Sequence, residues 1–173
     1  MVRKKSILRG KEILAVDDEP DVLDLIHEEL SDYEVVLETA SSYEEAIEKM
    51  SSLTYDLAIL DIMGVRGFEL LTYAVLRQIP VVMLTAHSMT LESLTRSIEF
   101  GARAYLPKYE LGNIAPFLED VLTMNSHSSW LNLFDRLGSF FGKTFGPSWR
   151  KSESEFLAKF EKESELEKTI IKG

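Results

Sequence analysis

Four apolar runs, each four residues long and each ending at a polar residue, organise the first two-thirds of the chain. Ile13-Leu14-Ala15-Val16 runs into Asp17 and Asp18, Leu57-Ala58-Ile59-Leu60 into Asp61, Val81-Val82-Met83-Leu84 into Thr85, and Ala104-Tyr105-Leu106-Pro107 into Lys108. Their length and β-branched content predict buried strands. Helical patterns separate them. After Pro20, a residue suited to a first helical turn, Val22, Leu23, Leu25, Ile26 and Leu30 supply one apolar face. Ser42 with Glu45 predicts a capping box opening a helix through about residue 50. A loop carrying Gly64 and Gly67 leads into a helix over 68–77, and a further helix over 90–100 closes at Gly101. Residues 33–37 read as the second strand, 56–60 as the third, 103–106 as the fifth and 111–124 as the last helix.

Five strand–helix repeats in this order predict an α/β fold with right-handed crossovers and helices on both faces of a parallel sheet. In such a sheet ligands bind at the C-terminal strand ends. Asp17, Asp18, Asp61, Thr85 and Lys108 all fall there, so the pattern predicts one site built from several strands.

Composition narrows the class. The chain has 173 residues, 45% hydrophobic and 28% charged, with no cysteine. That allows one ordinary domain plus a modest appendage, without disulfides or thiolate metal sites. The basic N-terminus lacks the apolar stretch of a secretion signal, and no run approaches the roughly 20 apolar residues of a membrane span. A soluble cytoplasmic protein is the expectation. Residues 1–123 carry 11 Lys+Arg against 22 Asp+Glu, and residues 124–173 carry 8 against 7. An acidic body and a nearly neutral tail argue against nucleic-acid binding by this chain alone.

The expected division is an N-terminal arm at 1–11, a main domain at 12–124, a polar linker at 125–129 and a helical extension at 130–173. In the extension Trp130, Leu133, Phe134, Leu137, Phe140 and Phe141 recur at helical spacing, and a second helical pattern covers 153–171. Two readings stay open for this aromatic stripe. It folds back and is buried, or it forms a homodimer or partner-docking element.

Three carboxylates from Asp17, Asp18 and Asp61 at neighbouring strand ends repel unless a cation or a shared proton intervenes. Hard oxygen donors with room for water suit Mg²⁺, with Mn²⁺ a substitute. Lys108 adds a fixed positive charge, and Thr85 a hydroxyl able to bond a phosphoryl oxygen. These are the parts for phosphoryl transfer to the Asp61 carboxylate.

With these marks, residues 12–123 resemble the receiver domain of two-component response regulators. The resemblance rests on Val16-Asp17-Asp18-Glu19-Pro20, Ile59-Leu60-Asp61, Leu84-Thr85-Ala86 and Tyr105-Leu106-Pro107-Lys108. It implies a flavodoxin-like (βα)5 sheet of order 2-1-3-4-5 and a phosphoacceptor role for Asp61. It further implies metal-site roles for Asp17, Asp18 and the Met63 backbone carbonyl. Thr85 would be the switch hydroxyl, Lys108 the phosphoryl contact and Tyr105 the switch aromatic. Met63 and His87, two places past the acceptor and the threonine, would tune loss of the phosphoryl group. The implied partners are a histidine kinase or phosphotransfer protein upstream and a protein target downstream, and the implied activity is slow self-dephosphorylation, not enzymatic turnover. An alternative is a receiver-fold adaptor or oligomerisation protein acting through its helical tail. Two departures from the family pattern stand out. The loop Ile62-Met63-Gly64-Val65-Arg66-Gly67 is about two residues short, and Pro107 precedes the lysine where the family often has proline after it, with a cis bond.

Rival classes fit less well. An aspartyl-phosphate phosphatase would place an Asp-x-Asp pair after the first strand, whereas here the acids are adjacent and the acceptor lies on the third. A flavin carrier would need glycines where Asp18-Glu19-Pro20-Asp21 stands, and an acidic loop is hostile to phosphate. A DNA-binding regulator would need an output helix-turn-helix that the tail does not supply.

Overall fold

The computed structural model describes residues 5–86 and 90–124, with single positions 135, 142, 143, 146 and 158 farther on. The chain divides into two compact units, Met1–Thr123 and Met124–Gly173. The linker and helical extension expected from the sequence, and His87, lie outside the described residues apart from those single positions.

The first unit is a five-stranded parallel sheet in the order 2-1-3-4-5. Its strands are β1 (Glu12–Val16), β2 (Val36–Ala40), β3 (Leu57–Asp61), β4 (Val81–Thr85) and β5 (Ala104–Pro107). Its helices are α1 (Pro20–Leu30), α2 (Tyr43–Ser52), α3 (Gly67–Leu76), α4 (Leu91–Glu99) and α5 (Ile114–Thr123). The flavodoxin-like doubly wound fold expected from the sequence is the fold observed. The three central strands are closed to solvent from Ile13 to Val16, Leu57 to Asp61 and Val81 to Thr85. That is why they read as unbroken apolar runs and not as alternating ones. Edge strand β2, by contrast, is only partly covered, and Val36 is half exposed.

Local chemistry sets the helix starts. Ser42 Oγ accepts from the Glu45 amide at 3.2 Å, and Glu45 Oε2 accepts from the amide of Ser41, the residue before the cap, at 3.1 Å. Thr90 caps α4 with Ser93 as reciprocal partner. Pro20 opens α1, and Gly101 leaves α4 at φ +94.

Two elements start three residues later than the sequence reading places them, and the other starts agree to within one residue. The second strand begins at Val36 and not at residue 33, because Ser31–Tyr33 forms a short 3₁₀ turn and Glu34 adopts a left-handed conformation (φ 55). Parallel pairing then fixes the start, with Glu12 opposite Val36. The last helix begins at Ile114 and not Leu111, since Lys108–Asn113 is a 3₁₀ segment. No peptide bond is cis among the described residues, so the chain passes Lys108 in the trans form. Among the described residues no helix is long and apolar enough to cross a membrane.

The residues just before β1 belong to the packed body. Leu8 is fully buried, Ser6 Oγ donates to Glu119 on α5 at 3.0 Å, and the Gly10 amide donates to the Glu34 carbonyl at 3.0 Å. Leu8→Ala is therefore expected to cost about 2–4 kcal/mol of stability, as for other fully buried leucines. Urea unfolding checks this, and a change under about 0.5 kcal/mol, the level of a surface site, would show the segment to be a loose arm.

Candidate functional site

Strand register builds the site. Val16 is level with Leu60, Asp61 with Leu84, and Thr85 with Pro107. Asp17 therefore leaves the sheet beside Asp61, and Thr85 and Lys108 each follow one residue farther out, about 3.3 Å per step. A one-residue slip in any pair would break this row.

Lys108 reaches back across the row. Its Nζ lies 2.8 Å from Asp17 Oδ2, 3.1 Å from Glu19 Oε1 and 3.3 Å from Asp61 Oδ1. Asp17 is fully buried, Asp61 is 3% exposed, and Glu19 stands at the solvent edge. Glu19 is the N-cap of α1 but makes no side-chain capping bond. Its carboxylate instead accepts a hydrogen bond from Lys108, while its amide donates to Asp17 Oδ1 at 2.9 Å. Asp17 Oδ2 accepts no well-directed hydrogen bond despite the nearby ammonium. A buried carboxylate oxygen left in that state is costly unless a cation completes its surroundings.

Electrostatics follow from burial. Desolvation pushes the Asp61 carboxyl up to about 7, the Asp17 charge adds to the rise, Lys108 opposes it, and Asp18 contributes a smaller push upward. Asp17 is raised as well, by burial first, with Lys108 and the Glu19 amide pulling it back. Burial works against the Lys108 charge, yet Asp17, Glu19 and Asp61 outweigh it and lift the ammonium above the usual lysine range.

The remaining residues singled out in the sequence fall as follows. Thr85 is buried, and its hydroxyl makes a long 3.4 Å contact to the Ala86 carbonyl besides its interaction with Tyr105. Tyr105 is already fully inside, its hydroxyl 2.8 Å from Ser93 Oγ on α4. Burial raises the Tyr105 phenol, and the Ser93 and Thr85 hydroxyls draw it partly back. Met63 is 66% exposed, on the loop between β3 and α3. That loop closes tightly. The Gly67 amide donates to the Ile62 carbonyl at 3.3 Å, and a Cβ on Gly67 would lie 2.1 Å from the Asp61 carbonyl oxygen. Only glycine fits there, so the short loop and Asp61 share one backbone packing.

Glu19 and Ser93 were not singled out from the sequence. Glu19 carried a signal, since it directly follows the acidic pair. Ser93 has no local signal that links it to Tyr105, twelve positions on.

The donor set fits a hard divalent cation. Asp17, Asp18 and Glu19 each offer a carboxylate oxygen, and the three atoms lie within 4.8 Å of one another. Asp17 Oδ2 is the buried atom lacking a proper partner, and all the donors are oxygen, as Mg²⁺ or Mn²⁺ requires.

A pH dependence follows for the metal-free protein. Below its ordinary value of 3.8 the Asp61 carboxyl is neutral folded or unfolded, while between there and about 7 only the unfolded chain loses the proton. Folding stability therefore falls as pH rises through that window and levels off above it. Asp61→Asn removes this loss. In chelator, the variant is expected to gain on wild type between pH 4 and 7, by on the order of 2–4 kcal/mol. Urea unfolding across that range checks the sign, and a gap that stays constant with pH contradicts it.

Comparison with known proteins agrees with this geometry. The family model for the response regulator receiver domain matches residues 13–114. The alkaline phosphatase synthesis transcriptional regulatory protein PhoP of Bacillus subtilis is 36% identical over 107 residues, 57% of this chain and 42% of that protein. The heme response regulator HssR of Staphylococcus aureus is 32% identical over 139 residues, 69% of this chain and 61% of its own length. The signal transduction histidine-protein kinase BarA of Shigella flexneri matches over 83 residues at 36% identity, 44% of this chain and 9% of that protein. The chain thus spans less than two-thirds of each of these relatives. Among solved structures, a CheY-like receiver domain protein from Methanospirillum hungatei superposes with a TM-score of 0.61 at 28% identity, covering 66% of this chain and 94% of the other. The receiver domain of NtrX from Brucella abortus does so at 0.59 and 30% identity, over 65% and 99%. The chain belongs to the response regulator receiver domain family of two-component systems.

Proposed function

We propose that this protein accepts a phosphoryl group on Asp61 from a histidine kinase or phosphotransfer protein and uses the modified state to change a protein-interaction face. The carrying observation is the contact of Lys108 with both Asp17 and Asp61 at the C-terminal ends of the strands. It supports the reading because the same cation that restrains two buried carboxylates is in place to meet phosphoryl oxygens arriving at one of them.

Asp17 and Asp18, with Asp61 and the Met63 backbone carbonyl, are the residues that would hold Mg²⁺ (or Mn²⁺), and Glu19 joins them at the rim. When bound, the ion supplies the positive charge that lets Asp61 stay ionised near neutral pH. The rest falls to the chain's own groups. An Asp61 carboxylate oxygen forms the new bond to phosphorus as the bond from phosphorus to the donor imidazole nitrogen breaks, and that nitrogen keeps the electron pair and takes a proton. Lys108 moves from its carboxylate partners to a phosphoryl oxygen. Thr85, whose hydroxyl donates only over 3.4 Å to the Ala86 carbonyl, would turn to donate to another. Because Tyr105 already lies inside and bonds Ser93, movement of Thr85 would reach α4 through a neighbour in contact with both, without an inward swing of the ring. The product is a held acyl phosphate that is lost slowly, so the protein acts as a switch and not as a turnover enzyme. Action in the cytoplasm, where kinase and nucleotide meet, belongs to the same reading.

Incubation with acetyl phosphate and Mg²⁺ is expected to add about 80 Da, one phosphoryl group, to wild type and nothing to Asp61→Asn. No gain in wild type, or equal gain in both, would contradict the assignment. Met63 lies two residues past Asp61 with its apolar side chain exposed, and there it would exclude water from the acyl phosphate. Met63→Asn is therefore expected to lose its phosphoryl group several-fold faster than wild type, followed by the decay of the added mass; an unchanged or slower decay rejects the shielding role.

A further inference from the structure

We infer that Gly64 is a positioning residue for Asp18: the backbone of the shortened loop is the wall against which that metal-site carboxylate is set. The inference rests on the reading that the acidic pocket takes a divalent cation.

A Cβ built on Gly64 would lie 2.5 Å from Asp18 Oδ2 and 2.6 Å from both Cγ and Oδ1. Near-equal distances to all three atoms mean that the carboxylate lies flat against the glycine, on the side where a side chain would begin. Contacts this short are not tolerated, so a side chain at 64 forces one partner to move. The loop is the fixed partner. Val65 is buried at 1% exposure, Ile62 at 9%, and Gly67 is pressed onto the Asp61 carbonyl. Asp18 is the movable one, a solvent-exposed side chain one rotamer away from release. Asp17 contrasts with it, held by the Glu19 amide and the Lys108 ammonium. A methyl group at position 64 would therefore leave the fold and the Asp17–Lys108 cluster in place and turn the Asp18 carboxylate away.

The competing explanation is that Gly64 is present only because its φ is +82. Gly10 separates the two, since its φ is +76 and nothing lies within 4 Å of a Cβ built there. Gly10→Ala carries the backbone strain without the collision.

The test is calorimetric titration of the full-length protein with Mg²⁺ alone, which reads the site without phosphorylation. Wild type and Gly10→Ala are expected to bind with equal affinity, and Gly64→Ala about tenfold or more weakly, the scale of a disturbed ligand. Both alanine variants should lose Tm. Wild-type affinity in Gly64→Ala overturns the inference. Failure of folded wild type to bind Mg²⁺ overturns the metal reading itself, and this inference with it. Should Gly64→Ala not fold, adding Asp18→Ala is expected to restore folding by removing the colliding carboxylate; no restoration overturns the inference.

Discussion

The ammonium of Lys108 among Asp17, Glu19 and Asp61 is the interaction on which the site depends. Two buried carboxylates side by side are unfavourable in low-dielectric surroundings, and a single cation offsets them only in part. The outcome is visible in the carboxyl groups themselves, since Asp17 and Asp61 stay raised despite a lysine within 3.3 Å of each. The fold holds this unfavourable cluster because the rest of the sheet is packed and its strands are held in register. Strain of this kind, kept by a rigid scaffold, is a mark of functional sites.

From the strand ends two physical connections lead toward α4. One passes from Thr85 to Tyr105 and from its hydroxyl to Ser93. The other begins where Gly67 abuts Asp61. Phe68, the next residue, packs edge-on against Phe100 at 6.3 Å, and the Arg96 guanidinium lies 4.2 Å over its ring. An event at Asp61 is thus joined to both ends of the same helix by contacts and not merely by proximity. Coupling of this kind needs an element with two arrangements to act on, and α4 is the element that both contact chains reach.

Much of this was legible in the residues. Buried parallel strands leave continuous apolar runs, and the polar residue ending each run marks the ligand-binding edge, which is why Asp17, Asp61, Thr85 and Lys108 stand out without a structure. The cap at Ser42 is equally readable, because side-chain chemistry there is local. Reading failed where the deciding contact was distant. The run Tyr33-Glu34-Val35-Val36-Leu37 looks like a strand throughout, but pairing with β1 admits only its second half, and Glu34 takes a left-handed turn that its residue type does not announce. Burial of Leu8, the bond from Lys108 to Glu19, and the fit of Asp18 against Gly64 join segments far apart in sequence. No local pattern encodes them.

Burial and like charge raise the Asp61 carboxyl to about 7, so that near neutrality a large share of it keeps its proton in the absence of a second cation. Carbon-13 NMR titration of the Asp61 carboxyl, with and without Mg²⁺, tests it most directly. The expected result is a midpoint of about 7 in chelator and a fall of at least about two units when Mg²⁺ is added, the shift a nearby opposite charge produces. A midpoint near the ordinary aspartate value in both conditions, unmoved by the metal, would contradict it.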